Sequence, residues 1–354
     1  MNIFKPQAKA TLIGSLPISD HDEALRIVME STPDVPLWVQ LPVHHEEGML
    51  TQFVSGLPGL VTSDNRIILD SSLNNFEREL LDFYEEYIAV TQGEKSLDAS
   101  RFILTKESAP GFFVLQETLK TVSRPFAIKG QITGPVTLSL GITDQNKQAV
   151  FYDKRLRDAV TKIIALKARW QVEQLKQFGA PIIIFLDEPG LAGFGSSALI
   201  GVSKEDVEQL LAEVIDQIHQ GGGLAGVHVC SNTDWTLILE SSADILSFDA
   251  YYYFDRLILY AKELKKFLEQ DKILAWGIVP TAKEEDIEKE TADSLVARWE
   301  EEASELETLG ISQAQILSQS LITPSCGTGS MSLDHALKVL KLNLEVSGSL
   351  QRLL

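Results

Sequence analysis

The stretch Ile182-Ile183-Ile184-Phe185-Leu186-Asp187-Glu188-Pro189 places an unbroken apolar run directly before two carboxylates and a proline. Continuous apolar runs are typical of parallel strands, because helices cover both faces of a parallel sheet. Other short runs share this character, and each leads into a loop rich in Gly, Pro, Ser or Asp. The predicted strands, eight in all, are Thr11 to Gly14, Leu37 to Leu41, Phe126 to Ile132, Ile182 to Leu186, Leu224 to Val229, Asp244 to Phe248, Ile273 to Val279 and Gln315 to Ile322.

Amphipathic segments fill the intervals between these strands, with apolar residues at helical spacing. Strands alternating with helices predict a (β/α)8 TIM barrel, and we expect residues 1–354 to form a single barrel domain. The surplus sequence at 43–124 predicts extra helices and loops over one end of the barrel, between the second and third strands. A doubly wound open sheet is the alternative. The helices predicted most clearly are Lys154 to Phe178, Ser203 to His219, Lys283 to Leu309 and Leu333 to Leu344.

Composition narrows the class of protein. The chain has 354 residues, 44% of them hydrophobic, and a formal net charge of −19. These values exclude a disordered chain and a disulfide scaffold, and so acidic a surface disfavours nucleic-acid and membrane partners. The first apolar run is interrupted by Gly14 and Pro17, unlike a secretory signal. We therefore expect a cytoplasmic protein in which both cysteines, Cys230 and Cys326, are reduced.

Candidate metal ligands follow three of the predicted strands. His228 and Cys230 end the fifth strand and point to the same side, because side chains alternate along a strand. Asp249 follows the sixth strand and Cys326 follows the eighth. The carboxyl ends of barrel strands share one rim, so these side chains converge there. Thiolates, an imidazole and a carboxylate are the ligands that Zn²⁺ prefers. The alternative is that both cysteines are small core residues and His228 is a hydrogen-bonded core histidine.

Five short stretches occur in the order found in cobalamin-independent methionine synthases. The chain resembles the catalytic barrel of that family, within the superfamily that also holds uroporphyrinogen decarboxylase and the methyl-corrinoid:thiol methyltransferases. The resemblance covers the chain from residue 10 to about residue 330. The stretches are Ile13-Gly14-Ser15, Gly134-Pro135-Val136-Thr137, Asp187-Glu188-Pro189, His228-Val229-Cys230 and Pro324-Ser325-Cys326-Gly327.

The resemblance implies a zinc-dependent methyltransferase that moves a methyl group to the thiol of homocysteine, giving methionine. His228, Cys230 and Cys326 would bind the zinc, and Asp249 stands where the family has a fourth ligand, a glutamate. Asp187 would pair with the ammonium of homocysteine as a catalytic residue. Ile13, Gly14 and Ser15 would contact the amino acid backbone of this substrate. From the residues alone, a helix cap or a structural ion pair is an equal alternative for Asp187.

Two departures from the family bear on the methyl donor. The family has a second barrel that contributes to folate binding, and this chain has one barrel's length. The family also carries a histidine after the seventh strand that protonates the departing folate, whereas this chain reads Gly277-Ile278-Val279-Pro280-Thr281 there. His44 and His45 follow the second strand and could reach the rim. A methyl-corrinoid needs no such acid, so we expect a methylated corrinoid as donor, carried by a corrinoid protein.

Three other functions are the alternatives. A methyl-corrinoid:coenzyme M type of transferase would use a different small thiol, which has no ammonium for Asp187 to bind. A non-catalytic zinc-binding barrel would share the ligands without turnover. Uroporphyrinogen decarboxylase activity is disfavoured, because the stretch Pro36-Leu37-Trp38-Val39-Gln40-Leu41-Pro42 lacks the arginines that hold a polyanionic substrate.

Overall fold

The computed structural model describes residues 4–63, 66–196 and 199–354. Strands and helices are numbered along the chain. The strands are β1 (Lys9–Ala10), β2 (Leu60–Ser63), β3 (Arg66–Leu69), β4 (Ile128–Thr133), β5 (Thr143–Asp144), β6 (Ile182–Asp187), β7 (Leu224–Val229), β8 (Ile245–Phe248), β9 (Ile273–Val279) and β10 (Ser320–Pro324). The helices are α1 (His21–Ser31), α2 (Phe76–Thr91), α3 (Pro110–Leu119), α4 (Pro135–Gly141), α5 (Lys154–Leu175), α6 (Lys204–Gly221), α7 (Thr236–Leu239), α8 (Ala250–Leu257), α9 (Ala261–Glu269), α10 (Glu284–Lys289), α11 (Ala292–Glu307), α12 (Gln313–Ser318) and α13 (Leu333–Gln351).

The main sheet is parallel and curls around an apolar interior. Within the described part of the chain its strand order is β1-β10-β9-β8-β7-β6-β4. The gap between the two edge strands is filled by the segment 35–41, which bridges to both sides. Leu37 pairs in parallel with Lys129 of β4, and Gln40 pairs with Ser15, just beyond β1. The predicted TIM-barrel fold is therefore confirmed, with an irregular segment in place of a regular second strand.

Several other predicted elements differ from the structure in their bounds. The first strand is predicted at Thr11 to Gly14, whereas the structure has β1 at Lys9–Ala10. The sequence predicts that the eighth strand begins at Gln315, but the structure has helix α12 there and the strand begins at Ser320. Ser312 caps this helix by accepting from the backbone N–H of Gln315, and Ile316 and Leu317 are buried. A short apolar run fits a buried helix face as well as a strand, so the sequence does not separate the two.

The predicted helix from Lys283 to Leu309 is two helices, α10 and α11. Glu290 leaves the helical conformation, and Thr291 then caps α11 in a reciprocal capping box with Ser294. Such a cap starts a new helix because it satisfies backbone N–H groups that have no partner within the helix. Ser203, where the sequence predicts that a helix begins, caps α6, since its hydroxyl accepts from the backbone N–H of Asp206.

The insertion between the second and third barrel segments contains helices and a small sheet, as expected. Strands β2 and β3 of the insertion form that sheet together with β5, which follows α4 in the chain. The loop around Met49 reaches the carboxyl end of the barrel, where its carbonyl accepts a hydrogen bond of 2.7 Å from Thr133 Oγ1. Helix α2 instead lies alongside the barrel wall, since Tyr84 donates to Asp158 of α5 at 2.6 Å. Only part of the insertion therefore covers the end that holds the candidate site.

In the described residues, we find no helix with both the length and the apolar character that a membrane-spanning segment requires.

Candidate metal centre

A cavity of about 310 Å³ opens at the carboxyl ends of the barrel strands. This volume lies at the lower end of the range for small-molecule sites, about 300–1,000 Å³. Side chains from β6, β7 and the loops after β1, β10 and the segment 35–41 line it. The lining residues include Ile13, Ser15, Gln40, Glu47, Met49, Thr133, Asp187, His228, Cys230, Cys326 and Gly327.

Three of the predicted metal ligands meet in this cavity. The donor atoms of His228, Cys230 and Cys326 all lie within 4.8 Å of one another. His228 is on β7, and Cys230 follows on the same side of the extended chain. Cys326 comes from the loop after β10, at the same rim of the barrel. The structure thus brings together side chains that are 96 residues apart in the sequence.

The imidazole of His228 is oriented by a neighbouring strand. Its Nδ1 forms a hydrogen bond of 2.9 Å with Ser247 Oγ of β8. Its Nε2 is buried and has no hydrogen-bond partner among the described residues. Metal-binding histidines are typically held in this way, with one ring nitrogen hydrogen-bonded and the other directed at the ion. A buried polar atom without a partner is costly, so a cation at Nε2 would satisfy it.

The two thiols are electrostatically different. The pKa of Cys230 is lowered, because a hydrogen bond from the thiol of Cys326 and the neighbouring imidazole of His228 favour its thiolate. The pKa of Cys326 is raised, because that hydrogen bond and the negative charge of Cys230 both favour its protonated form. Such a pair needs a cation before both thiols can ionise. The donor set of one imidazole and two thiols therefore fits Zn²⁺, which binds thiolates and imidazole.

Asp249, the predicted fourth ligand, caps a helix. Its carboxylate accepts from the backbone N–H of Tyr252 at 3.0 Å, at the start of α8. Burial raises its pKa to about 7, and the negative charge of Cys230 adds to the shift. It stands outside the group of three ligand atoms that lie within 4.8 Å of one another. Its role as a ligand stays a prediction, since it would have to share or leave the cap to bind a metal.

Asp187 lies on the cavity wall at the end of β6. It is 8% exposed, and its Oδ1 has no hydrogen-bond partner in the described part of the chain. Burial raises its pKa to about 6, while the positive charges of His228 and Lys129 oppose that shift. A buried carboxylate oxygen that faces a cavity without a partner is suited to bind a cationic group of a ligand.

Contacts from the barrel interior and from the loop after β10 hold the loop Ile13-Gly14-Ser15 in place. Lys129 is fully buried inside the barrel, and its Nζ donates to the carbonyl of Ile13 at 2.7 Å. A Cβ at Gly14 would lie 2.7 Å from Gln40 Oε1, so a larger residue there would displace the Gln40 amide. The carbonyl of Ser15 accepts from both the backbone N–H and the hydroxyl of Thr328, at 3.1 and 2.9 Å. This loop is thereby fixed against the loop that carries Cys326.

Glu188 connects the stretch Asp187-Glu188-Pro189 to the stretch Gly134-Pro135-Val136-Thr137. Its buried carboxylate accepts from the backbone N–H groups of Val136 and Thr137, at 3.0 and 2.7 Å, and from Thr137 Oγ1 at 2.6 Å. A Cβ at Gly134 would lie only 2.2 Å from this carboxylate. Burial nevertheless raises the pKa of Glu188 to about 7. The role of Glu188 is therefore to join β6 to the start of α4, while Asp187 faces the cavity.

Sequence reasoning missed two charged groups near the cavity. Glu47 is 2% exposed and lines the cavity wall, where its carboxylate accepts from the backbone N–H of Leu41 and bonds to His21. Lys129 lies within a run predicted as an apolar strand, although its amino group is buried inside the barrel, where burial lowers its pKa to about 7. Of the two histidines predicted to reach the rim, His44 lies near Glu47, which lines the cavity. His45 is exposed.

Comparison with known proteins gives a likeness in fold. No protein-family model matches this sequence, and no curated protein matches it. Among solved structures, a B12-independent methionine synthase from Shewanella sp. W3-18-1, in complex with selenomethionine, is 15% identical. The match has a TM-score of 0.58 and covers 98% of this chain and 98% of that chain. At this identity the likeness shows that the two chains share a barrel fold.

Other solved structures match with lower scores. A GH20 catalytic module of the pneumococcal exo-beta-D-N-acetylglucosaminidase StrH is 9% identical, with a TM-score of 0.47, over 96% of this chain and 85% of that chain. ZgEngAGH5_4, in complex with a cellotriose, is 11% identical, with a TM-score of 0.43, over 97% of this chain and 98% of that chain. Scores at this level carry no inference about function.

Proposed function

We propose that this chain is a zinc-dependent methyltransferase that methylates the thiol of homocysteine, with a methylated corrinoid as donor. The observation that carries the proposal is the meeting of His228, Cys230 and Cys326 in one cavity, where His228 Nε2 is buried without a partner. The likeness in fold to a methionine synthase supports the same reading. Homocysteine, the corrinoid and the zinc are each part of the proposal.

The metal would be held by His228, Cys230 and Cys326. Zinc bound there would supply a cation that lowers the pKa of a substrate thiol, making the sulfur nucleophilic at neutral pH. The chain's own contribution is orientation: Ser247 fixes the imidazole of His228, and the strand ends bring the sulfurs of Cys230 and Cys326 within 4.8 Å of each other. The cavity shields this site from most of the solvent, since Cys230 and Cys326 are only partly exposed.

Asp187 would bind the ammonium of homocysteine. Its Oδ1 is buried, without a partner among the described residues, and lines the same cavity as the candidate ligands. An ammonium offers three hydrogen-bond donors and a positive charge, so it stabilises the ionised carboxylate. The loop Ile13-Gly14-Ser15, fixed by Lys129 and Thr328, borders the same space and would contact the backbone of the amino acid.

The donor is proposed from the balance of the reaction. The sulfur's electron pair forms the new bond to the methyl carbon, and the old bond breaks with its pair remaining on the donor. A folate nitrogen would then need a proton, and the loop after β9 offers no histidine for that purpose. Cob(I)alamin keeps the electron pair without protonation, so a methyl-corrinoid needs no acid from the chain.

The proposal is tested by metal analysis and methyl transfer with the purified protein. We expect bound zinc in the wild type and transfer from methylcobalamin to homocysteine, with 5-methyltetrahydrofolate a much poorer donor. The double variant Cys230→Ser, Cys326→Ser should lose both the zinc and the activity, because a hydroxyl is a far weaker zinc ligand than a thiolate. Ser231→Ala, next to Cys230 but outside the ligand set, is the matched control and should retain both.

Each part of the proposal has its own contrary outcome. Absence of zinc, and no uptake of zinc under reducing conditions, would exclude the thiol-activation mechanism. Zinc binding without turnover of either donor would indicate a non-catalytic metal-binding barrel. Turnover with coenzyme M in place of homocysteine would retain the chemistry and correct the acceptor.

A further inference from the structure

We infer that His21, His44 and Glu47 form a second cation site, at the edge of the same cavity and free of cysteine ligands. One ligand atom from each of these residues lies within 4.8 Å of the other two. The site would take a divalent transition-metal ion that prefers nitrogen and oxygen ligands. The inference is independent of the proposed methyl transfer, because it rests on a different set of side chains.

The carboxylate of Glu47 is built into the wall. It is 2% exposed, and one of its oxygens, Oε2, accepts from the backbone N–H of Leu41 at 3.0 Å. The other oxygen, Oε1, lies 2.7 Å from His21 Nε2. Carboxylates that bind a metal are typically held by a hydrogen bond to one oxygen while the other oxygen faces the ion. Glu47 has this arrangement, with one oxygen held by the backbone and the other facing an imidazole.

The two imidazoles are also set in place. His44 Nε2 lies 2.9 Å from the carbonyl oxygen of Ser19. A carbonyl only accepts, so Nε2 carries the proton and the lone pair of His44 is on Nδ1. The rings of His21 and His44 are stacked, with centroids 5.4 Å apart and planes inclined by 15°. A carbonyl that fixes the tautomer of a histidine is a usual feature behind metal ligands.

The ligand chemistry indicates the class of ion. Two imidazoles and a carboxylate bind Zn²⁺, Fe²⁺ and Co²⁺, and leave coordination positions open for water or a ligand. This site has no thiolate, unlike the site formed by His228, Cys230 and Cys326. Its ligands are therefore harder and favour different metal ions. Because Glu47 also lines the cavity, an ion held there would place positive charge on the cavity wall.

A simpler account of the same residues is an ion pair between His21 and Glu47. The ion pair needs only His21 and Glu47, so it assigns no role to His44. Substitution of His44 therefore separates the two explanations, since only a metal site depends on it. Glu47→Gln gives a second, nearly isosteric test, because an amide can still accept from the N–H of Leu41 but is a poor metal ligand.

The experiment uses tag-free, full-length protein, stripped of metal under reducing conditions and titrated with Co²⁺. Cobalt bound to thiolates absorbs strongly in the near ultraviolet, whereas cobalt bound to imidazole and carboxylate does not, so absorption and total bound metal together report both sites. We expect the wild type to bind about two equivalents and His44→Ala, His21→Ala and Glu47→Gln about one, with the thiolate band intact. The double variant Cys230→Ser, Cys326→Ser should keep the other equivalent and lose the band.

Controls come from histidines outside the cluster. His45→Ala alters an exposed histidine of the same loop, and His335→Ala alters one that lies 3.0 Å from Glu288 at the surface. Both should bind as much cobalt as the wild type. The inference is overturned if wild-type protein binds no cobalt beyond the thiolate site, or if the extra equivalent survives His44→Ala and Glu47→Gln. If the thiolate site binds no cobalt, the cobalt bound by His21, His44 and Glu47 can still be measured in the double cysteine variant.

Discussion

At the scale of single residues, two buried polar atoms without partners lie in the candidate site. A buried group that lacks a hydrogen bond costs roughly 1–3 kcal/mol, so a fold retains it only where something else compensates. His228 Nε2 and Asp187 Oδ1 are two such atoms, and both residues line the same cavity. The first is suited to a metal ion and the second to a cationic group of a ligand. Their proximity is the strongest residue-level argument for a bound substrate there.

Replacement of Asp187 tests its assignment to the ammonium of the substrate. We expect Asp187→Asn to raise KM for homocysteine about tenfold or more, because loss of a buried charge-assisted hydrogen bond costs roughly 1.5–3 kcal/mol. kcat at saturating homocysteine should fall less than KM rises. The effect on a thiol without an ammonium, such as coenzyme M, should be small. Steady-state kinetics with both thiols measures the difference.

The pH dependence of that KM provides a further readout. Burial raises the pKa of Asp187 to about 6, so the carboxylate becomes protonated as the pH falls through that value. The ionised form binds the ammonium, and KM for homocysteine should therefore rise below about pH 6 and level off above it. The Asn variant should lack this rise. Equal pH profiles for wild type and variant would rule out Asp187 as the ammonium partner.

At the scale of elements, the sequence predicts best where a strand is apolar on both faces. The runs at 182–186, 224–229 and 273–279 match β6, β7 and β9 almost residue for residue. The segment 37–41 is as apolar, yet it pairs only through isolated bridges at its two ends. Hydrophobicity predicts burial there but does not reveal whether the backbone forms a regular ladder. Pairing depends on the register of two neighbours that are distant in sequence.

The meeting of His228, Cys230 and Cys326 was predictable, because strand alternation and barrel topology place all three at one rim. The roles of Glu188 and Lys129 were not, because each depends on a partner from a distant segment. Glu188 supports the start of α4, and Lys129 reaches the carbonyl of Ile13 inside the barrel. Neither contact leaves a periodic signal in the sequence. The cap role of Asp249 is local, yet a metal ligand and a helix cap both use a carboxylate at a strand end.

The contribution of the junction between β6 and α4 to stability can be tested by adding one methyl group at Gly134. We expect Gly134→Ala to lower the free energy of unfolding by about 1–3 kcal/mol or more, because the added Cβ would lie 2.2 Å from the Glu188 carboxylate. Gly348→Ala in α13 is the matched control, where the nearest atom to an added Cβ is 4.0 Å away, at the end of Arg352. That change should stabilise by about 0.5–1 kcal/mol, since alanine favours helix. Denaturant titration measures both, and equal effects would contradict the proposed junction.

At the scale of the whole molecule, burial decides how many of the acidic residues are charged. The formal net charge of −19 counts every Asp and Glu as ionised. Burial raises the pKa of Glu188 and of Asp249 to about 7, and that of Glu302 to about 8. The folded protein therefore holds protons near neutral pH that the unfolded chain releases. By linkage, these groups make the free energy of unfolding fall as the pH rises from about 5 to about 8.

Glu302 offers the clearest test of this linkage, because it lies on α11, outside the candidate site. Its Oε1 bonds to Arg298 at 3.1 Å, whereas Oε2 is buried without a partner among the described residues. Since its folded pKa is raised, its contribution is most favourable at low pH and is lost as the pH rises through 8. Glu302→Gln should remove a slope of about 1 kcal/mol per pH unit and leave the variant more stable than the wild type at pH 8, with little difference at pH 5.

Denaturant unfolding at pH 5, 6, 7 and 8, with zinc held constant, measures this effect. Glu300→Gln is the control, because Glu300 is exposed on the same helix and is not among the charges that raise the pKa of Glu302, so it should leave the pH profile of stability unchanged. If Glu302→Gln destabilised the fold equally at every pH, its carboxylate would be ionised in the folded state and held by Arg298 as a buried ion pair. A flatter profile in the Gln variant alone would instead establish that the fold keeps this carboxyl protonated, because its unpartnered oxygen has no compensation for a buried charge.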